Sequence, residues 1–124
     1  MTISRAFLII GTVYLLVGLG LGMHMGASGN HTLTPVHAHI NLVGFVLMTL
    51  FGLAYRVMPD MAATTLGKAH FWLFQAGALV LSLSLYLLIG NVIPEEQIGP
   101  FMPVGEGLVV LAILAWLLNL LRSR

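Results

Sequence analysis

Residues 35–58 read PVHAHINLVGFVLMTLFGLAYRVM. A proline opens the run, two histidines follow within four residues, and no charge appears before Arg56. Twenty-four residues at about 1.5 Å each give a helix of roughly 36 Å. That is enough to cross a hydrocarbon layer about 30 Å thick. Three more apolar runs follow the same reading: Ala6 to Met23, Ala69 to Ile93 and Pro100 to Leu121. The expected fold is therefore all-α, a four-transmembrane-helix bundle forming a single membrane domain over residues 1–124. The gaps are short and rich in turn formers: Gly26-Ala27-Ser28-Gly29-Asn30, Pro59-Asp60 and Pro94-Glu95-Glu96. Arg5 ahead of an apolar stretch imitates a signal peptide, but the run exceeds a usual signal core and reads as a retained helix. The gaps leave no room for a soluble domain, and no internal repeat stands out.

Composition agrees. Of 124 residues, 59% are hydrophobic and 7% charged, with a mean hydropathy of +1.02. Such a chain suits lipid as solvent. A net charge of +1 is too small to suggest a nucleic-acid partner. The absence of cysteine removes disulfides, thiolate metal sites, iron–sulfur ligation and covalent haem attachment. Any haem must be held by His or Met and by packing.

The basic residues set an expected orientation. Arg5 precedes the first span, Arg56 and Lys68 flank the second gap, and Arg122 and Arg124 follow the fourth span. All five fall on one side, so the positive-inside rule places both termini in the cytoplasm. In a bacterial inner membrane the other side is periplasmic, and there lie His24, His31, His37 and His39. His70 opens the third span at the opposite face. At about 1.5 Å per residue it should lie roughly 25 Å in depth from His39, too far for one iron within a protomer.

Thr34-Pro35 reads as an N-cap and first-turn proline, which puts His37 and His39 in the opening turns of the second span. The positive end of the helix dipole disfavours imidazolium there, and neutral imidazole is the form that ligates iron or copper. Residues two apart on a helix point about 200° apart, so His37 and His39 should face different neighbours. His39 lies deeper and precedes an unbroken apolar run, where an unpartnered imidazole is costly. It is the first candidate ligand, with His37 and His24 behind it. Gly18, Gly22 and Gly26 form a small-residue stripe on the first span. Such a stripe receives another helix backbone or lets a porphyrin lie flat against Gly22. Met23-His24-Met25 carries the soft donors of a copper(I) site. Ordinary roles stand beside these: His31 as a solvated loop residue, Met23 and Met25 as apolar filler, His70 as a structural or proton-related group. Glu106 either bonds a ligand histidine from outside or is a solvated cap. Asn41, Gln75 and Asn91 are polar groups expected to join helices.

The stretch His39-Ile40-Asn41-Leu42-Val43, continuing to Leu53-Ala54-Tyr55-Arg56-Val57-Met58-Pro59, resembles the second transmembrane helix of haem–copper oxidase catalytic subunits, most closely the nitric-oxide-reductase branch. Ala38-His39 resembles the corresponding pair of the oxygen-reducing oxidases. Gly67-Lys68-Ala69-His70-Phe71-Trp72-Leu73 is similar to the start of their penultimate helix, whose histidine is not a haem ligand. The likeness covers about half the chain and looks like the two ends of a twelve-helix subunit without its middle. It implies one role, His39 as axial ligand of haem b. It does not extend to oxygen or nitric-oxide reduction, because the copper-site and high-spin haem histidines belong to the missing part.

The leading expectation is a small b-type cytochrome-like membrane protein for electron transfer, binding or sensing of a diatomic gas, or support of a respiratory-chain partner. The second axial position is open among His24, Met23, His37 of a neighbouring protomer and no ligand at all, the last suiting a diatomic gas, in a homo-oligomer within the lipid bilayer. Two alternatives are a copper-binding or copper-delivery protein using Met23, His24, Met25, His37 and His39, and a cofactor-free assembly subunit. Catalysis by the chain alone ranks below all three, since no nucleophile triad, phosphate loop or paired-carboxylate site is legible.

Overall fold

The computed structural model describes residues 1–124. It is an all-helical bundle. Four helices are long and apolar enough to cross a membrane: α1 (Ile3–Ser28), α2 (Thr34–Val57), α4 (Thr65–Ile89) and α5 (Glu95–Arg122). A short helix, α3 (Pro59–Ala63), joins α2 to α4.

Helix ends depart from the apolar runs because caps, not hydrophobicity, stop helices. α1 continues past Met23 until Gly29, whose left-handed φ of 69° turns the chain while its N–H donates to the Met25 carbonyl. α4 starts ahead of Ala69 because the Thr64 hydroxyl accepts from the Gly67 N–H. It stops at Ile89, so Asn91 (φ 54°) sits in the following turn rather than within a helix. α5 begins at Glu95 and passes through a 3-10 turn at Gly99–Phe101 before continuing as Met102–Arg122. Thr34 is not the cap expected of it. It lies in the first turn, and its hydroxyl donates to the His31 carbonyl at 2.7 Å. Within α2, residues Ile40–Leu47 form a π-helical segment that starts immediately after His39.

The spans pack as two antiparallel pairs. In one, Gly18 and Gly22 of α1 lie against Asn41 and His37 of α2. In the other the backbones of α4 and α5 nearly touch: a Cβ on Gly105 would lie 2.6 Å from the Leu81 nitrogen, and one on Gly77 2.8 Å from the Val109 nitrogen. Side chains from all four spans meet at the end that holds both termini. There Phe7, Met48, Phe51, Tyr55, Phe71, Phe74, Ala78 and Ala112 form the main core. At the opposite end a smaller cluster of Val36, Ile40 and Leu85, with Leu33, Ile89 and Met102 packed on it, holds the opening turn of α2 against α4. Only 28 of 124 residues are buried, while Leu16, Leu53, Leu79, Leu111 and many like them point outward. Each such side chain would cost about 1.5–3 kcal/mol to leave in water, so the surface is built for lipid.

Gly105→Ala and Gly107→Ala separate packing from propensity. Both gain helix propensity of about 1 kcal/mol. Only Gly105 has a backbone in the way, whereas nothing lies near Gly107. Gly105→Ala should unfold at lower denaturant than Gly107→Ala by about 1–3 kcal/mol, measured by circular dichroism in mixed micelles.

Candidate functional site

His37 and His39, in the opening turns of α2, are each held by a backbone carbonyl. His39 is half-buried, and its Nδ1 lies 2.8 Å from the Pro35 carbonyl oxygen. A carbonyl only accepts, so Nδ1 carries a proton, and the neutral tautomer this selects has its lone pair on Nε2. His37 repeats the arrangement on the other side of the helix, donating from Nδ1 to the Gly18 carbonyl at 2.8 Å. Pinning one ring nitrogen to a carbonyl and freeing the other is how proteins prepare a histidine for a metal; His39 meets that condition, whereas the His37 Nε2 has the Asn41 Nδ2 3.3 Å away. The two rings face different neighbours, as their spacing requires.

His37 has a close seat. A Cβ on Gly22 would come within 3.0 Å of its Cε1, so Gly22 makes room for an imidazole rather than a porphyrin. Asn41 donates from Nδ2 to the His37 carbonyl at 2.9 Å. Its Oδ1 is buried without a hydrogen-bond partner, pressed against Gly18. Asn41 thus reaches α1 by packing, not by the interhelical hydrogen bond expected. Gln75 does reach across, with Nε2 3.6 Å from the Met48 sulfur. Gly26 touches nothing, so the small-residue stripe is in use at Gly18 and Gly22 alone.

The remaining candidates disperse. His24 is exposed on α1. Met23 is 75% exposed while Met25 is 5% exposed, and the Met25 sulfur lies 3.9 Å from the Thr34 hydroxyl. Three consecutive helical residues point about 100° apart, so Met23, His24 and Met25 do not form one ligand set within a protomer. His31 is exposed in the loop. Glu106 is exposed on α5 and bonds no histidine, which leaves the expected support of a ligand unmet. No three of the chain's His, Asp and Glu side chains converge on one point where an ion could sit.

Between α1 and α4 runs a groove of about 620 Å3. Its walls are Val13, Val17, Leu21, Leu79 and Leu83, Ile40 lies on the α2 side, and His24, Tyr14, Ser82 and Tyr86 supply polar tips. Sequence reading missed it. Ser82 and Tyr86 are a single polar pair four apart on α4, too slight a signal amid so many apolar residues.

His70 is fully buried. Its Nδ1 shares a 2.8 Å hydrogen bond with the Tyr55 hydroxyl, and its Nε2 has no partner. Phe51, Trp116, Phe7 and Phe74 surround the ring at centroid distances of 4.4, 5.2, 5.3 and 5.9 Å. Tyr55 stands about 24 Å down α2 from His39 at ~1.5 Å per residue, which keeps the two histidines in separate sites. No protein family, curated protein or solved structure matches the chain.

Tyr55→Phe should destabilise the bundle by about 1–3 kcal/mol, because it strips the last partner from a buried imidazole. Adding His70→Phe should recover most of that loss, since both polar groups are then gone. Denaturant midpoints of the two single variants and the double variant in one detergent measure the coupling.

Proposed function

We propose that the protein is a small integral-membrane haem b-binding protein, with His39 as an axial ligand. The observation that carries this reading is the His39 Nδ1–H bond to the Pro35 carbonyl, which leaves Nε2 with its lone pair free at the half-buried face of α2. The likeness of residues 39–59 to the haem-bearing helix of haem–copper oxidases supports the same residue. The donor suits haem iron, an oriented imidazole with Nε2 outside any hydrogen bond. His39 lines neither main groove of the protomer and joins no cluster of ligating side chains. The reading therefore places the haem between protomers of a homo-oligomer, with the second face supplied by a neighbour. Bound there, haem b supplies one-electron redox chemistry or a binding site for a diatomic gas. The chain's own part is to hold the ring orientation, keep the site dry and set its depth. With Arg5, Arg56, Lys68, Arg122 and Arg124 at the other end, the positive-inside rule puts His39 on the periplasmic side of a bacterial inner membrane. A respiratory-chain complex is the natural partner for such a protein.

Expression with ample haem, followed by a pyridine haemochrome assay and elemental analysis, tests this. The expected result is a Soret band with iron near one per protomer or per pair of protomers. His39→Ala should abolish or shift the band, while His31→Ala leaves it unchanged. A colourless, iron-free protein after reconstitution would sink the reading.

A further inference from the structure

At the end that holds both termini, a pocket of about 450 Å3 opens between the close of α2 and the close of α5. Asn119, 2% exposed, lines it and fixes its shape. This side chain accepts from the Thr64 hydroxyl at 3.0 Å and donates to the Met61 carbonyl at 2.9 Å. The two bonds tie α5 to the junction of α3 and α4, so the walls stand before any ligand arrives. Arg122 and Arg124 line the pocket from the end of α5, and Asp60 lines it from α3. All three are exposed, and Asp60 forms an ion pair with neither arginine. A pocket that keeps opposite charges apart suits a ligand that carries both. Val57, in the last turn of α2 and 80% exposed, completes the rim. The pocket thus lies where the spans end, at the level of lipid headgroups.

We propose that this pocket binds the headgroup of a phospholipid carrying a phosphodiester and a primary ammonium, as in phosphatidylethanolamine. The guanidiniums donate to the phosphate oxygens, and the ammonium donates to the Asp60 carboxylate. The acyl chains leave past Val57 into the bilayer. Basic pockets between spans receive anionic headgroups, and here the acid on the facing wall selects among them. A quaternary ammonium has no N–H to give Asp60. A headgroup without a cation sets its phosphate against that carboxylate. The site is at the opposite end of the bundle from His39 and does not depend on haem.

The test uses the full chain, delipidated in a non-ionic detergent. It is titrated with phosphatidylethanolamine, phosphatidylcholine or phosphatidylglycerol of one acyl composition, and bound lipid is counted by native mass spectrometry. One phosphatidylethanolamine per protomer should be held about 5-fold more tightly than either other lipid, as one exposed charge-assisted contact allows. Arg122→Gln combined with Arg124→Gln should weaken binding about 10-fold. Lys68→Gln, which removes a base at the same end outside the pocket, should not weaken it. Asp60→Asn should erase the preference and favour phosphatidylglycerol. Circular dichroism confirms that each variant keeps its helices, all four positions being exposed. Equal retention of the three lipids overturns the proposal. So does unchanged binding in the double arginine variant, a preference that survives Asp60→Asn, or displacement of the lipid by inorganic phosphate at equal concentration.

Discussion

The bundle is organised around one hydrogen bond between Tyr55 of α2 and His70 of α4. The two residues belong to different helix pairs, and the aromatic side chains enclosing them come from all four spans: Phe7 from α1, Phe51 from α2, Phe74 from α4 and Trp116 from α5. In lipid there is little hydrophobic force to bring one apolar helix onto another. Association must come from close packing and from polar groups that have nowhere else to go. A buried imidazole whose only partner sits on the other pair meets that need. It fixes the register of α2 against α4, because sliding either helix by a residue moves the hydroxyl off the ring.

That clamp sits at the end with the termini, and its position shapes the opposite end. Within each pair, small residues allow the spans to approach closely, at Gly18 and Gly22 in one and at Gly77 and Gly105 in the other. Between the pairs, the end away from the termini is joined through α2 and α4, by the small cluster of Val36, Ile40 and Leu85, while a groove runs between α1 and α4. The base with the termini is thus closed by aromatic side chains from all four spans, while the other end is held by a smaller aliphatic cluster. His39 and the groove lined by His24 and Ser82 both lie in the half away from the termini, and His39 is not part of the groove wall. The chemically interesting groups are found where packing is least complete, as is general for binding sites set on a rigid base.

The sequence disclosed the four spans and the different facing of His37 and His39, because run length and helical periodicity are strong signals. Its reading of ends was looser. Apolarity carried the third span to Ile93, whereas the chain turns at Gly90 and Asn91; it ended the first at Met23, whereas the helix runs to Ser28. The pinning of His37 on Gly18 was invisible because it joins residues nineteen apart through a tertiary contact. Tyr55 as the partner of His70 was hidden for the same reason. Met23-His24-Met25 looked like one donor set only because adjacency in sequence was read as adjacency in space.

The π-helical segment at Ile40–Leu47 has a consequence for how α2 is compared with any straight helix. Each wide turn takes in an extra residue, so the angular phase of the helix slips across those eight positions. A helical wheel drawn upward from Tyr55 would assign His37 and His39 to the wrong sides. The azimuth of both imidazoles is therefore set by a local widening of the backbone just beneath them, and a deletion of one residue there would swing them around the axis while leaving the aromatic base untouched.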